Sequence, residues 1–361
     1  MGLCRMTTRQ LTFCQAIHEA LTLALEKDQN VFLMGEGIDD PRAVFGSTRG
    51  LKERFGKERV FDLPLSENGM TGVMIGAALA GLRPVMTHQR LDFTFYAMDQ
   101  IVNHAAKRCY SSGGTQSVPM TIRAIVGRGW GQGPQHSQSL QSLFAHIPGL
   151  KVVMPATAYD AKGLLIASIF DNNPVLFIEY RRLYEETGDV PEGYYTVPLG
   201  KGIVRSEGRD VTVVAISYMA PETLKILPAL ASAGIRVEVI DPRTLKPLDE
   251  TLILDSVRKT GRLVVVDTAW RTCGMAAEIS ALAAERCFPS LKAPIRRVTL
   301  PDIPTPTTQA LEKIYYPGPL DIARAVCEVM GMDGPAIDKV SEHIRLDAPA
   351  PAAAPQFVGP F

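Results

Sequence analysis

The sequence predicts an α/β protein of two doubly wound domains, and three observations carry that expectation. Short apolar, β-branched runs recur along both halves of the chain. Stretches with helical spacing separate them. A segment rich in Gly, Pro and charge, residues 185–200, divides the series in two. Strands that alternate with helices pair in parallel, and their crossover helices cover both faces of the sheet.

The elements follow in order. Thr7-x-x-Gln10 has the form of a capping box. After it Leu11, Cys14, Ile17, Leu21 and Leu25 recur at spacings of three and four, which predicts an amphipathic helix. VFLMG (31–35) reads as a short buried strand ending in glycine. PVMTH (84–88), VPMTIRAI (118–125), KVVMP (151–155) and PVLFIE (174–179) read as further strands, with helices over 97–108 and 158–170. Beyond the linker come strands at 210–217, 236–242 and 262–267, with helices over 220–233, near 249–258 and over 275–287. This second domain carries few candidate catalytic groups, so a structural or assembly role is favoured for it. The expected boundaries are 1–190, 191–331 and an Ala/Pro-rich tail or linker over 332–361, which ends APAPAAAPQFVGPF.

Composition narrows the function. The 361 residues are 46% hydrophobic and 21% charged, as in globular proteins with large buried cores. Lys+Arg and Asp+Glu are both 38, so no net field draws the chain to nucleic acid or an anionic membrane. Six cysteines (Cys4, Cys14, Cys109, Cys273, Cys287, Cys327) form no CxxC pair, which argues for free thiols in a reducing compartment. No run of about 18 apolar residues is present, and MGLCRMTTRQ lacks a signal-peptide core. The expected location is cytoplasmic.

Two stretches could hold chemistry. DLPLSENGMTG (62–72) places Glu67 between an apolar run and a glycine-rich turn. It is either a solvated loop carboxylate or one kept in an apolar site to move a proton. GRGWGQG (127–133) leads into PQHSQS and delivers His136 on a flexible loop. Neither a Walker A sequence nor a strand-bounded GxGxxG is present, and GxSxG, HExxH and clustered Cys/His ligands are also missing. A lone histidine in such a loop is as readily structural as functional. A cofactor-phosphate site is not visible in the sequence.

DLPLSENGMTGVMIGAALAGLRPV, DQIVNHAAK, QHSQS, HIPGLKVVMPATAYDAKGLL, DNNPV and LKPLDETLI occur in this order. Together they resemble the β subunit of the E1 component of 2-oxo acid dehydrogenase complexes, over about residues 8–330. The resemblance implies a pyrimidine-binding domain, a transketolase-type C-terminal domain and thiamine diphosphate shared with an α subunit in an α2β2 heterotetramer. In such assemblies the α subunit supplies the diphosphate and Mg2+ site through a GDG…N motif, and no GDG triplet occurs here. The acyl acceptor is a lipoyl-bearing E2 or a carrier-protein thiol.

On that resemblance Glu67 matches the glutamate that hydrogen-bonds the aminopyrimidine N1′ and activates the cofactor. Leu63, Pro64 and Leu65 would then keep its surroundings dry, and Gly69 and Gly72 would let backbone approach the ring. His136 matches the histidine that settles charge on the bound donor or receives the acyl group. Phe93 falls where an aromatic stacks near the pyrimidine, and Glu36 matches an acid near the cofactor. DNNPV matches a potassium-binding segment, with Met120, Ser168, Asp171 and Asn173 as oxygen sources. The chain departs from the pattern at Gly37, where an acidic residue is usual, and at Gln89, where Met or Leu covers the pyrimidine. His88, Arg90 and Arg128 add polarity that fits a hydroxylated donor or a ketose phosphate as readily as neutral drift. Transfer of a two-carbon ketol unit is therefore the alternative reaction, and a scaffold that has lost turnover the lesser one.

Overall fold

The computed structural model describes residues 8–40, 42, 44–127 and 132–347. The chain divides into two compact units, the second taking most of the residues from Gly202 onward, with Arg243–Pro247 returned to the first. The first is built on a seven-stranded sheet. Its order is Thr244–Lys246, Lys151–Val153, Val175–Tyr180, Thr121–Val126, Arg83–His88, Val31–Gly35 and Val60–Asp62. Six strands are parallel, and Thr244–Lys246 runs antiparallel at one edge. The second unit has a five-stranded sheet, ordered Arg296–Leu300, Leu263–Trp270, Val211–Ala215, Val237–Asp241 and Ile203–Ser206. Only Ile203–Ser206 is antiparallel there.

Thr121–Val126, Val175–Tyr180, Val211–Ala215 and Val237–Asp241 are buried along their whole length, because helices cover both faces. That is why these strands read as unbroken apolar runs. The helix Phe13–Lys27 buries Phe13, Ala16, Ile17, Ala20, Leu21, Ala24 and Leu25 as one stripe and packs on Ala158–Ile169.

Several expectations change. The capping box of the first helix is Thr12 with Gln15, not Thr7 with Gln10: Gln15 N donates to Thr12 Oγ1 at 3.1 Å and Thr12 N to Gln15 Oε1 at 2.8 Å. Gln10 instead lies in the strand Thr8–Thr12, which pairs antiparallel with Thr187–Pro191, and its Nε2 donates to Asp189 Oδ1 at 2.6 Å. The segment expected as a linker thus supplies a strand to the first unit. The helix expected over 220–233 splits into Met219–Leu224 and Leu227–Ser232. Pro228 has no N–H, and its ring crowds the carbonyl of Leu224 four residues back. Over 97–108 the backbone winds first as π turns, Asp99–Ala105, then as α, Ala106–Ser111. Beyond 332, Gly334–Asp347 form a helix that packs on Pro319–Val329 and buries Val340 and Ser341, so ordered structure continues past the expected start of the tail. The Ala/Pro-rich end lies outside the described residues.

Cys14, Cys109, Cys273, Cys287 and Cys327 are free. Among the described residues no helix is long and apolar enough to cross a membrane.

Candidate functional site

Parallel strands deliver their following residues to one edge of the sheet, and the loops there are free to carry chemistry. Glu36 follows Val31–Gly35, Leu63 and Pro64 follow Val60–Asp62, and His88 ends Arg83–His88. With Glu67 and Met86 they line a small, solvent-open pocket. Glu67 begins the helix Glu67–Leu79, where the unpaired N–H groups of the first turn favour a negative charge.

Glu36 and Glu67 therefore face the same pocket. Burial pushes the Glu36 carboxyl above its ordinary pKa, and the charges of Glu67 and Asp62 push it further. The apolar cover expected around Glu67 is partial: Leu63 and Pro64 line the pocket with it, but Glu67 is half-buried, Pro64 is exposed and Leu65 is 81% exposed and outside the lining. Further along the helix Gly69, Val73, Gly76 and Leu79 are exposed in turn, and a Cβ at Gly76 would meet nothing within 4 Å.

The Gln89 amide has a partner in the chain itself. Its Nε2 donates to the Glu36 carbonyl at 3.0 Å. Arg90 is buried; its Nη1 donates to the Gly127 carbonyl at 2.9 Å and its guanidinium lies 5.7 Å from the Phe45 ring. Arg128 and Trp130 lie outside the described residues. Phe93 and His136 meet edge to face, with ring centroids 5.3 Å apart and planes at 89°.

His88 is 5% exposed, and its Nε2 has no hydrogen-bond partner. Burial lowers its pKa to about 4. The sign follows: the unfolded chain takes up this proton near pH 6.5 and the folded chain only near 4, so stability falls as pH drops through that window. We expect His88→Phe to reduce the loss of stability between pH 6.5 and 4 by up to about 3 kcal/mol. Unfolding free energies measured across that range, parallel for both proteins, would contradict it.

Two groups near the site were not singled out from the sequence. Asp92, next to Phe93, is buried and accepts at Oδ1 from Gln138 N (3.3 Å) and Gln138 Nε2 (2.8 Å). It thereby ties down the loop that carries His136. Burial raises its pKa, and the Gln138 hydrogen bonds oppose that shift. Arg123 and Glu179, both fully buried, pair through two bonds of 2.6 and 2.9 Å. Tyr184 Oη donates to Glu179 Oε2 at 2.6 Å, and Arg123 Nη2 to Ser47 Oγ at 3.0 Å. The signal was one charge of each sign inside two otherwise apolar strands, TIRAIV and VLFIEY.

The expected potassium segment lies where strands begin, at the opposite sheet edge from this pocket. Arg83 Nη1 donates to the Ile169 and Asp171 carbonyls at 3.3 and 3.1 Å, and Lys151 pairs with the Asp171 carboxylate. The Met120 carbonyl accepts from Val175 N at 3.0 Å and the Ser168 carbonyl from Asp171 N at 3.2 Å. Asn173 N donates to Asp171 Oδ1 at 2.8 Å. Of the four expected residues, Asp171 is thus engaged by both Arg83 and Lys151.

Comparison with known proteins places this geometry. Residues 9–187 match the transketolase pyrimidine-binding domain and 200–322 the transketolase C-terminal domain. The chain is 44% identical over 335 residues to the acetoin:2,6-dichlorophenolindophenol oxidoreductase subunit beta of Bacillus subtilis, with 90% of this chain and 98% of the relative covered. It is 43% identical over 322 residues to the pyruvate dehydrogenase E1 component subunit beta of Staphylococcus aureus, covering 89% and 99%. A split-gene transketolase solved as an inactive β4 tetramer shares the fold, with a TM-score of 0.69 and 22% identity over 89% of this chain and 99% of that one. The chain belongs to the family of thiamine diphosphate-dependent E1 β subunits, built from a transketolase pyrimidine-binding domain and a transketolase C-terminal domain.

Proposed function

We propose that this chain is the β subunit of an E1 enzyme that cleaves a 2-oxo acid or a hydroxyketone and passes the acyl unit to a lipoyl or carrier-protein thiol. The observation that carries the reading is the pairing of Glu36 with Glu67 in one pocket at the C-terminal edge of the parallel sheet. Thiamine diphosphate, when bound, supplies a nucleophilic thiazolium carbon and an electron sink. The pocket fits its aminopyrimidine end: two carboxyls and a neutral imidazole offer proton-sharing partners to ring nitrogens. It does not fit the diphosphate, because no cationic side chain lines it.

Each residue then has a task. Glu67 would hold the proton shared with the ring nitrogen N1′, and Glu36, whose proton affinity burial and the nearby carboxylates raise, lies beside it. Phe93 stacks near the ring and braces His136, which settles charge on the donor or receives the acyl group. His88 adds polarity to the pocket wall, and Gln89 adjoins the pocket through its bond to the Glu36 carbonyl. The phosphate-receiving role for Arg90 is the weaker reading, since its guanidinium is buried against Gly127 and Phe45, and ketol-phosphate transfer weakens with it. A potassium ion at Met120, Ser168, Asp171 and Asn173 would share Asp171 with Arg83 and Lys151, which already engage its carbonyl and carboxylate. Among the described residues no group of three or more His, Cys, Asp or Glu could hold a metal; Mg2+ would be held by the α partner. Free, scattered cysteines support a cytoplasmic location.

The exposed apolar residues around Glu67 support an α partner that closes the pocket. Co-expressed with an α chain carrying GDG…N, the protein should form an α2β2 heterotetramer by light scattering. The pair should reduce an artificial electron acceptor with acetoin or a 2-oxo acid, and the β chain alone should not. A monomer with no affinity for any such chain would overturn the reading.

A further inference from the structure

We propose that Gln89 is a positioning residue that sets Glu36 in the pocket, and that it can do so only because residue 37 is glycine. The contact is direct: Gln89 Nε2 donates to the Glu36 carbonyl at 3.0 Å. The backbone leaves Glu36 through Gly37 at φ +70°, a left-handed conformation that glycine adopts without cost. A Cβ on residue 37 would lie 2.6 Å from Gln89 Nε2 and 3.2 Å from Asp40 Oδ2. No real Cβ sits that close to a nitrogen, so any side chain at 37 must push the Gln89 amide away. The hydrogen bond and the glycine are therefore one device, contributed by a loop after one strand and a loop after its parallel neighbour.

The device acts on the side chain that matters. Pinning the Glu36 carbonyl fixes the peptide from which its carboxyl reaches the pocket it shares with Glu67. The groups around that carboxyl are Glu67 on the helix, Asp62 on the adjoining strand, His88 in the pocket wall and Asp40 beyond Gly37. Burial raises the proton affinity of that carboxyl most, and the charges of Glu67 and Asp62 add to it through nearness. A Glu36 that swings free loses that coupling. Gln89 thus works through Glu36 and need not touch cofactor or donor. The functional consequence rests on the pocket being the cofactor site; the contact does not.

The test is a double-mutant cycle on the Glu36 carboxyl, followed by NMR in the chain labelled with 13C-glutamate and assigned with Glu36→Gln. Gln89→Met, which keeps length and removes the donor, should lower the Glu36 titration midpoint by about half a pH unit or more. Gly37→Ala should lower it similarly. In the Gln89→Met background Gly37→Ala should add less than it does alone, the part that remains being the strain of a side chain at φ +70°. An unchanged midpoint in Gln89→Met, or additive shifts in the double variant, would overturn the proposal. If Gly37→Ala does not fold, Gln89→Met alone still decides it. In the α/β assembly Gln89→Met should also weaken thiamine diphosphate binding several-fold. An unmutated assembly that binds no thiamine diphosphate would defeat the reading of the pocket and leave the titration result standing.

Discussion

Glu67→Gln should remove nearly all proton exchange at the thiazolium carbon of thiamine diphosphate bound to the α/β assembly, by about 10²–10⁴-fold. Gln preserves the size of the side chain but cannot take or give the proton at N1′. The fold should survive. Glu67 is half-buried at the start of its helix, and among the described residues no hydrogen bond depends on its carboxylate. Losing its charge from the helix N-terminus costs about 0.3–1 kcal/mol. Exchange measured by deuterium incorporation, with circular dichroism to verify folding, separates the two effects. Exchange at the unmutated rate would remove Glu67 from its assigned role.

Arg123→Met should cost about 3–5 kcal/mol of stability, the largest effect expected of any single change here. The substitution strands the Glu179 carboxylate in the middle of the sheet with Tyr184 Oη as its remaining donor. It also deprives Ser47 and Thr87 of a partner, at 3.0 and 3.4 Å, and Thr87 lines the Glu36–Glu67 pocket. Thermal or denaturant unfolding reads the loss directly. Replacing both partners with apolar residues, Arg123→Met with Glu179→Leu, should recover a large part of it, because no unpaired charge is then buried. A loss below about 1 kcal/mol in the single variant would mean that water or rearrangement reaches Glu179.

What could be read in advance follows a physical rule. Fully buried parallel strands announce themselves, so Val31–Gly35 was legible to the residue and Met275–Cys287 likewise as a helix. Edge strands such as Val60–Asp62, Ile203–Ser206 and Arg296–Leu300 were not, because they are short and only partly buried, so polar residues interrupt the apolar run. The ribbon of Thr8–Thr12 with Thr187–Pro191 depends on a pairing across most of a domain, and local propensity cannot report it. At the site, Glu67 and Glu36 could be placed by motif, whereas their electrostatic coupling could not. Gln89 was visible as a departure from the pattern, but that its amide bonds a backbone carbonyl one strand away is a tertiary fact. Leu65 shows the converse error: an apolar neighbour in sequence is not an apolar environment until something covers it.

The strand Thr244–Lys246 bears on how the protein comes off the ribosome. It pairs with Lys151–Val153 in the first unit's sheet, yet it is translated after most of the strands of the second unit have begun to appear. The first unit cannot seal that edge until about 247 residues have been made. Until then Lys151–Val153 offers an open row of N–H and C=O groups to any passing strand. The Lys at its start places charge beside that row, a feature that discourages pairing with a foreign chain. A fragment cut after residue 201 would keep this exposed edge permanently, so the boundary between the units is not a place where the gene can be divided.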